Sequence, residues 1–177
     1  MTPIIIAAVL LSVTLGFAVF AYFKISRADK TIYSAHSALN VQLSFRREIV
    51  KNLSSLVSGL AQDSGEIISA LMKIAVEPDT DFKIETRAEQ ENKLSSGLTD
   101  LFKLSDGKDA LKNNENFISH KKSVLKCEEK IKQAAAFYNN SVRDYNTMIS
   151  IFPAGIVAKM FDYGPAGFFN FEQTKVD

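Results

Sequence analysis

The sequence predicts an all-α protein: an N-terminal transmembrane helix followed by an elongated antiparallel bundle of the four-helix type with long helices. Residues 3–23 contain no charged residue and are followed at once by a basic segment. Residues 114–152 carry apolar side chains in the 4-3 spacing typical of a helix that packs on other helices. The chain has four prolines and eight glycines, nearly all at segment edges, which leaves long stretches free to be helical.

The charge-free segment 3–23 is long enough to cross a bilayer, because as a helix it spans about 31 Å. A cleaved signal peptide is the competing interpretation. No lysine or arginine precedes the apolar run, the run is longer than a typical signal core, and no small-residue cleavage site follows it. We therefore expect residues 1–30 to be a retained single-pass anchor with a basic juxtamembrane segment. The lipid bilayer is then the partner of residues 3–23.

The side of the membrane is predicted from the charges that flank this span. Lys24, Arg27 and Lys30 follow it, whereas only the α-amino group precedes it. By the positive-inside rule, the bulk of the protein is expected to face the cytoplasm.

Residues 31–153 are expected to form the helical bundle. Nothing breaks the first helix from the anchor, and its apolar stripe is interrupted at Arg46. The second helix ends before Pro78, and residues 79–81 offer N-cap candidates for the third. The third helix ends near Gly107, a residue suited to a left-handed cap. The predicted bounds are about 31–62, 64–77, 82–105 and 114–152.

The helix predicted over 114–152 is the one on which the others pack. At about 57 Å it is too long to be stable alone in water, so it needs partner helices. Pro153 ends it, because proline cannot donate the helical hydrogen bond. Residues 154–177 then follow as a short helix and an aromatic tail. The seam residues are Phe117, Val124, Ile131, Ala135, Tyr138, Val142, Tyr145, Ile149 and Phe152.

The composition limits the classes of function. A net charge of +1 gives no overall field that favours nucleic acid, so no nucleic-acid partner is expected. Cys127 is the one cysteine of the sequence, which excludes an internal disulfide and a multi-cysteine metal site. Its place in the middle of a helix predicts a small buried hydrophobe rather than a reactive thiol.

The sequence contains no familiar catalytic or metal-binding pattern. His36 and His120 stand isolated, without the H-E-x-x-H motif or the Glu-x-x-His pairs with which helical bundles bind metals. It also lacks a phosphate-binding loop, a nucleophile elbow and a dinucleotide fingerprint. We therefore predict that the protein is not an enzyme and uses no cofactor or metal.

Four short motifs follow one another between residues 113 and 163: Asn114-Glu115-Asn116-Phe117, Phe137-Tyr138-Asn139, Tyr145-Asn146-Thr147 and Phe152-Pro153. Earlier motifs are Asn40-Val41-Gln42-Leu43, Arg46-Arg47, Asn52-Leu53 and Glu91-Asn92-x-Leu94-Ser95. In order and spacing they resemble the signature of the bacterial LemA family, over essentially the whole chain after the anchor. His36 stands where that family usually has tryptophan, and Lys51 where it usually has proline. The first helix is therefore expected to be straighter here.

The resemblance implies an N-terminally anchored four-helix bundle in a bacterial membrane, and no catalytic residues come with the family pattern. We therefore expect a non-catalytic scaffold or protein-interaction module at the bacterial inner membrane, with a membrane or cytoplasmic protein as its partner. Two alternatives stay open: a membrane-shaping protein that oligomerises along the bilayer, and a ligand-sensing or hydrolase-like bundle with an unrecognised polar site. Homo-oligomerisation stays open as well.

Two sets of polar residues on the last long helix are candidate sites. Asn139 and Asn146 each follow a seam tyrosine, and we interpret them as amides that bond across helices and fix their register. The alternative is a polar ligand or peptide groove. Lys122, Lys126 and Lys130 form a cationic row that we interpret as a solvated face. The alternative is contact with anionic lipid or an acidic partner.

The aromatic residues near the C-terminus are the candidate interaction surface. One interpretation is that they pack back over the open end of the bundle. The other is an exposed apolar patch for a partner or for the membrane interface. The residues are Phe161, Tyr163, Phe168, Phe169 and Phe171.

Overall fold

The computed structural model describes residues 2–61, 64–76 and 83–174, and within these ranges the chain is helical or irregular, without strands. The predicted all-α fold, in which a long apolar N-terminal helix leads into a bundle of long helices, is confirmed. Pro78 and the N-cap candidates at 79–81 lie outside the described residues. The helices are α1 (Thr2–Leu60), α2 (Gly65–Val76), α3 (Ile84–Asp106), α4 (Asp109–Lys112), α5 (Glu115–Ser150) and α6 (Ala154–Met160).

Helix α1 joins the predicted anchor and the first bundle helix in one unbroken helix of 59 residues, about 89 Å long. Residues 3–20 are exposed, except for half-buried Ala18. Beyond them one face is buried, beginning with Ala21 and Ile25. Within the described residues, α1 alone is long and apolar enough to cross a membrane. This agrees with an N-terminal anchor, whereas the side of the membrane stays a prediction.

Helix α5 runs antiparallel to α1. The Cys127 thiol of α5 lies 3.5 Å from the carbonyl oxygen of Gln42 in the bundle part of α1. Further along α5, Tyr145 shares a buried cluster with Ile25, close to the charge-free segment of α1. The C-terminal end of α5 therefore lies beside the predicted anchor, and its N-terminal end lies at the far end of the bundle.

The core is a continuous stripe between α1, α2, α3 and α5. It contains Leu39, Leu43, Leu53, Leu94, Leu98, Leu101, Phe102, Phe117, Val124, Ile131 and Val142, all at most 2% exposed. Rings of Phe102 and Phe117 meet edge to face, with centroids 6.3 Å apart, where α3 and α5 approach each other. Long helices are unstable alone in water, and the apolar face that these helices share in the bundle stabilises them.

The predicted seam of α5 is buried from Phe117 to Tyr145, and Ile149 is half-buried. Phe152 is the exception, because its side chain is 83% exposed. The prediction fails there because α5 ends at Ser150 and the backbone turns to an extended conformation at Ile151. At its other end, the Asn114 side chain caps α5 by accepting a hydrogen bond from the Phe117 N–H at 3.0 Å.

The left-handed cap predicted at Gly107 is wrong, since its φ is −87°. Its N–H instead donates to the carbonyl oxygen of Leu104 at 3.3 Å. This turn leads within two residues into the four-residue helix α4, so the chain has no need of a left-handed residue there.

After α6 the chain changes direction at Asp162, whose φ of 59° is the one positive value among the described residues other than glycine. We call residues 163–174 the tail. The tail has no secondary structure, and it runs back along the bundle rather than over its end.

Candidate functional site

Two asparagines of α5 bind the backbone of the tail. Asn146 Nδ2 donates to the Ala166 carbonyl oxygen at 2.8 Å, and the Ala166 N–H donates to Asn146 Oδ1 at 2.9 Å. Asn139 binds Phe169 in the same way, at 2.9 Å and 2.8 Å. Each amide thus satisfies one backbone donor and one backbone acceptor of a segment that has no strand or helix partner.

Helix α3 supplies a third asparagine on the other side of the tail. Asn92 Nδ2 donates to the Asn170 carbonyl oxygen at 2.9 Å, and the Glu172 N–H donates to Asn92 Oδ1 at 2.9 Å. We call the channel between α3 and α5 that holds the tail the tail groove. Its polar wall is formed by Asn92, Asn139 and Asn146.

The two seam tyrosines complete this wall. The Tyr138 hydroxyl donates to the Gly167 carbonyl oxygen, and the Tyr145 hydroxyl donates to the Gly164 carbonyl oxygen, both at 3.0 Å. Burial and the charge of Glu85 raise the pKa of Tyr138. Burial is the largest of the effects that raise the pKa of Tyr145. Both hydroxyls therefore keep the proton that the tail carbonyls require.

The spacing of the asparagines matches an extended segment. Asn139 and Asn146 are two helical turns apart, which is about 10.5 Å along α5. Their partners Phe169 and Ala166 are three residues apart, which in an extended chain is about 10 Å. The tail therefore runs antiparallel to α5, with one residue in three presented to the helix.

One aromatic residue of the tail fills the apolar part of the groove. Phe169 is fully buried and belongs to the main core. Its ring stacks on Phe171 at 6.2 Å, and that second ring lies 5.4 Å from the guanidinium carbon of Arg46. At Gly167 the tail passes close to α3, because an added Cβ would lie 2.9 Å from Cγ2 of Ile84. A side chain there would also meet the carboxylate of Glu85, so the side chains of Glu85 and Ile84 would have to shift.

The end of the tail reaches a buried cluster of charged residues. Three arginines and two glutamates form it, each at most 7% exposed, namely Arg46, Arg47, Arg87, Glu91 and Glu128. Glu91 Oε1 lies 2.9 Å from Arg47 Nη2 and 3.4 Å from Arg87 Nε. Arg46 Nη2 lies 3.5 Å from Glu128 Oε1 and donates to Ser95 Oγ at 2.9 Å. We call these five residues the ion cluster.

Thr174 joins the tail to the ion cluster. Its N–H donates to Glu128 Oε2 at 2.7 Å, and its hydroxyl hydrogen-bonds to the other oxygen of the same carboxylate. Burial lowers the pKa of Arg46, while the charges of Glu128 and Glu91 oppose that effect. An arginine keeps its proton nonetheless, so Arg46 carries a full positive charge inside the bundle.

Two candidate site residues have other partners in the structure than the sequence predicts. Asn139 and Asn146 bind the tail backbone, so their interpretation as amides that bond from helix to helix is wrong. They face the tail groove, where an unpaired backbone offers both a donor and an acceptor. Lys122, Lys126 and Lys130 are all exposed.

The five aromatic candidates do not form one surface. Phe169 is buried, whereas Tyr163 and Phe171 are half-buried. Phe168 and Phe161 are exposed, at 38% and 54%. The aromatic residues therefore divide between the tail groove and the end of the bundle near α6.

The ion cluster and Asn92 escaped the reasoning from sequence, although signals for two members were present. Arg46 stands in the apolar stripe of α1, and Glu128 lies four residues after Val124, at a seam position of α5. Such a position predicts burial.

As for metals, no group of three His, Cys, Asp or Glu side chains is arranged to hold an ion among residues 2–61, 64–76 and 83–174.

The sequence was also compared with known proteins. The family model described as LemA family matches residues 35–177. The matched part includes all of the tail groove and the ion cluster, and it begins within α1 after the charge-free segment. The comparison with curated proteins gives no match.

Proposed function

The chain belongs to the LemA family, and we propose that it is a membrane-anchored, non-catalytic interaction module that binds an extended protein segment in the tail groove. The observation that carries this proposal is the pairing of asparagine amides with the backbone of an extended segment. Backbone hydrogen bonds provide affinity that depends little on sequence, as in other modes of extended-peptide recognition. In the resting protein, the chain's own tail occupies the groove.

The groove also favours a particular kind of segment. The site of Phe169 is closed and apolar, so a partner segment needs an aromatic residue there. Two residues before it, the close approach of Ile84 favours glycine. At the far end, the carboxylate of Glu128 accepts from a backbone N–H and a hydroxyl. The preferred segment is thus Gly-x-aromatic, followed five residues after the aromatic by serine or threonine.

Competition with the tail sets the conditions for binding. A covalently linked tail faces the groove at an effective concentration that reaches millimolar values for short linkers. A free segment displaces it when it binds more tightly or is itself held near the groove. A partner protein anchored in the same membrane would hold its segment near the groove. The membrane anchor of this protein would thereby promote binding in the groove.

The anchoring part of the proposal is supported by α1. Its exposed apolar residues 3–20 need an apolar environment, and its unbroken course ties the bundle rigidly to them. Lys24, Arg27 and Lys30 favour a bundle on the cytoplasmic side of the membrane. The membrane that we propose is the bacterial inner membrane. The absence of catalysis is part of the proposal too, because the ion cluster is engaged in ion pairs and in holding the tail.

The test uses the whole chain with a protease site inserted after exposed Asp162. The protein folds with its tail in place, the site is cut, and a fluorescent peptide of residues 163–174 is added. We expect the peptide to replace the cut tail. A peptide with Phe169→Ala should bind about 100-fold more weakly or worse, since truncating a buried phenylalanine costs about 3–5 kcal/mol.

The matched control is a peptide with Phe168→Ala, which changes the exposed neighbour. Its affinity should stay within about three-fold of the unchanged peptide. A cut tail that no peptide replaces would contradict the proposal, and so would equal weakening by the two substitutions.

A further inference from the structure

The turn after α5 and the short helix α6 expose several large apolar side chains. We call residues 151–161 the elbow. The exposed fractions are 83% for Phe152, 74% for Met160, 56% for Ile151 and 54% for both Ile156 and Phe161. Five such residues within eleven form an apolar patch of a kind that marks an interaction site rather than ordinary surface.

The elbow lies against α1 at the end of the charge-free segment. On its inner side, Val157 and Ala158 share a buried cluster with Ala21 and Ile25. Ala18 packs against the same cluster. On its outer side, the Phe161 ring lies 4.7 Å from the ring of Tyr22. These contacts fix the height of the elbow along α1.

That height can be expressed as a depth in the bilayer. Phe23 is the last residue before Lys24, so it marks the end of the charge-free segment. The α1 residues of the shared cluster extend from Ala18, about 7.5 Å before Phe23 along the helix axis, to Ile25, about 3 Å beyond it. Amphipathic segments that lie in the membrane interface bury their apolar side chains about 5–10 Å deep. The elbow therefore lies at the end of the charge-free segment, and the deep end of its contact with α1 is within that range.

We propose that the elbow is a second membrane contact, which inserts its apolar side chains into the lipid interface beside α1. The inference rests on the proposed anchoring of residues 3–23 and adds a site that the span alone does not require. Lys159 is exposed on the elbow and Lys24 lies at the end of the span, so both ammonium groups reach the phosphate level of anionic lipids. The bundle is then fixed to the bilayer at two points.

The occupant follows from continuity with the span. If residues 3–23 are in lipid, a segment packed on Ala18 and Ala21 has lipid as its neighbour on the open side. A protein that covers the elbow would have to exclude lipid at that depth. The elbow adjoins the near end of the tail groove, because Tyr145 of the groove wall shares a buried cluster with Val157 and Ala158. The exposed elbow side chains Phe152 and Met160 are not among the groove wall residues, so the two sites can be tested by different substitutions.

The experiment uses tryptophan fluorescence, because the natural chain contains no tryptophan. Full-length variants with Phe152→Trp or Met160→Trp are reconstituted in vesicles of phosphatidylcholine and phosphatidylglycerol. Some vesicles carry lipids brominated near the headgroup end of the acyl chain, which quench fluorophores in contact with them. Phe20→Trp reports on the span, and Phe45→Trp reports on exposed bundle surface about 33 Å beyond Phe23.

We expect brominated lipid to quench Phe152→Trp and Met160→Trp to an extent comparable with Phe20→Trp, and to leave Phe45→Trp unchanged. If Phe20→Trp is quenched while both elbow variants behave like Phe45→Trp, the anchor stands and the inference is overturned. If Phe20→Trp is not quenched, the anchoring and the inference fall together. All four positions are more than half exposed, so the substitutions leave the core intact.

Discussion

Replacing Asn139 with alanine removes both hydrogen bonds that hold the backbone of Phe169. The side chain lies at the edge of the tail groove and is only half-buried, so alanine opens no cavity in the core. Asn140, the next residue, is exposed and accepts instead from Arg143 on its own helix. Asn140→Ala is therefore a matched control that changes the same residue type one position away.

The expected magnitude follows from the two lost bonds. A hydrogen bond of this kind contributes about 0.5–1.5 kcal/mol net, so the pair contributes about 1–3 kcal/mol. Water reaches a half-buried amide site and satisfies part of the loss, which places the expected value in the lower half of that range. Because about 1.4 kcal/mol is a tenfold change in an equilibrium, the tail should open roughly tenfold more often.

Hydrogen exchange of the tail amides measures this opening. The N–H groups of Ala166 and Thr174 bond to other partners, Asn146 and Glu128, so their exchange reports on the tail as a unit. Their exchange should accelerate about tenfold in Asn139→Ala, while core amides of α5 keep their protection. Asn140→Ala should leave every tail amide unchanged. Unchanged exchange in Asn139→Ala, or equal acceleration in both variants, would refute the conclusion that the Asn139 side chain holds the tail in the groove.

Three further predictions concern buried groups. Glu91→Gln removes a charge that pairs with Arg47 and Arg87, so urea unfolding should reveal a loss of about 3–5 kcal/mol, against less than about 0.5 kcal/mol for exposed Glu89→Gln. Burial, and then the charge of Arg87, lower the pKa of His36 from its usual 6.5, so the unfolded chain binds this proton more readily. Stability should therefore fall as the pH drops below about 6.5, with a smaller slope in His36→Gln; equal slopes would contradict this. Burial raises the pKa of the Cys127 thiol, so a maleimide should label it at neutral pH only as fast as the protein unfolds, and rapid labelling of the native protein would disprove that burial.

The 4-3 spacing of apolar residues was enough to predict α5, because helix packing depends on the spacing of apolar side chains. Seam positions from Phe117 to Tyr145 are buried as the spacing requires. The pattern failed at Phe152, where a 4-3 count continues but the helix does not. A spacing rule cannot detect that end, since the elbow is held by contacts of α6 with α1, far away in sequence. Phe152 lies in the turn that precedes these contacts, and its side chain is exposed.

The tail groove was beyond prediction for a related reason. Tyr-Asn pairs seven residues apart are compatible with partners on any neighbouring element, and the nature of the partner depends on where the chain goes after Asp162. Only the folded structure brings Asn92 of α3 and the asparagines of α5 to opposite sides of one segment.

The ion cluster gives this arrangement an energetic consequence. Glu128 is 1% exposed, and a buried carboxylate is costly unless charges and donors satisfy it. Arg46 supplies the charge, and Thr174 of the tail supplies the backbone N–H and a hydroxyl. Removing the tail would thus weaken the cluster that joins α1, α3 and α5, as well as emptying the Phe169 site. The bundle therefore favours an occupied groove, and an incoming segment that replaces the tail must provide the same two donors to Glu128. That requirement makes the far end of the groove, rather than its asparagine wall, the place where one extended segment is distinguished from another.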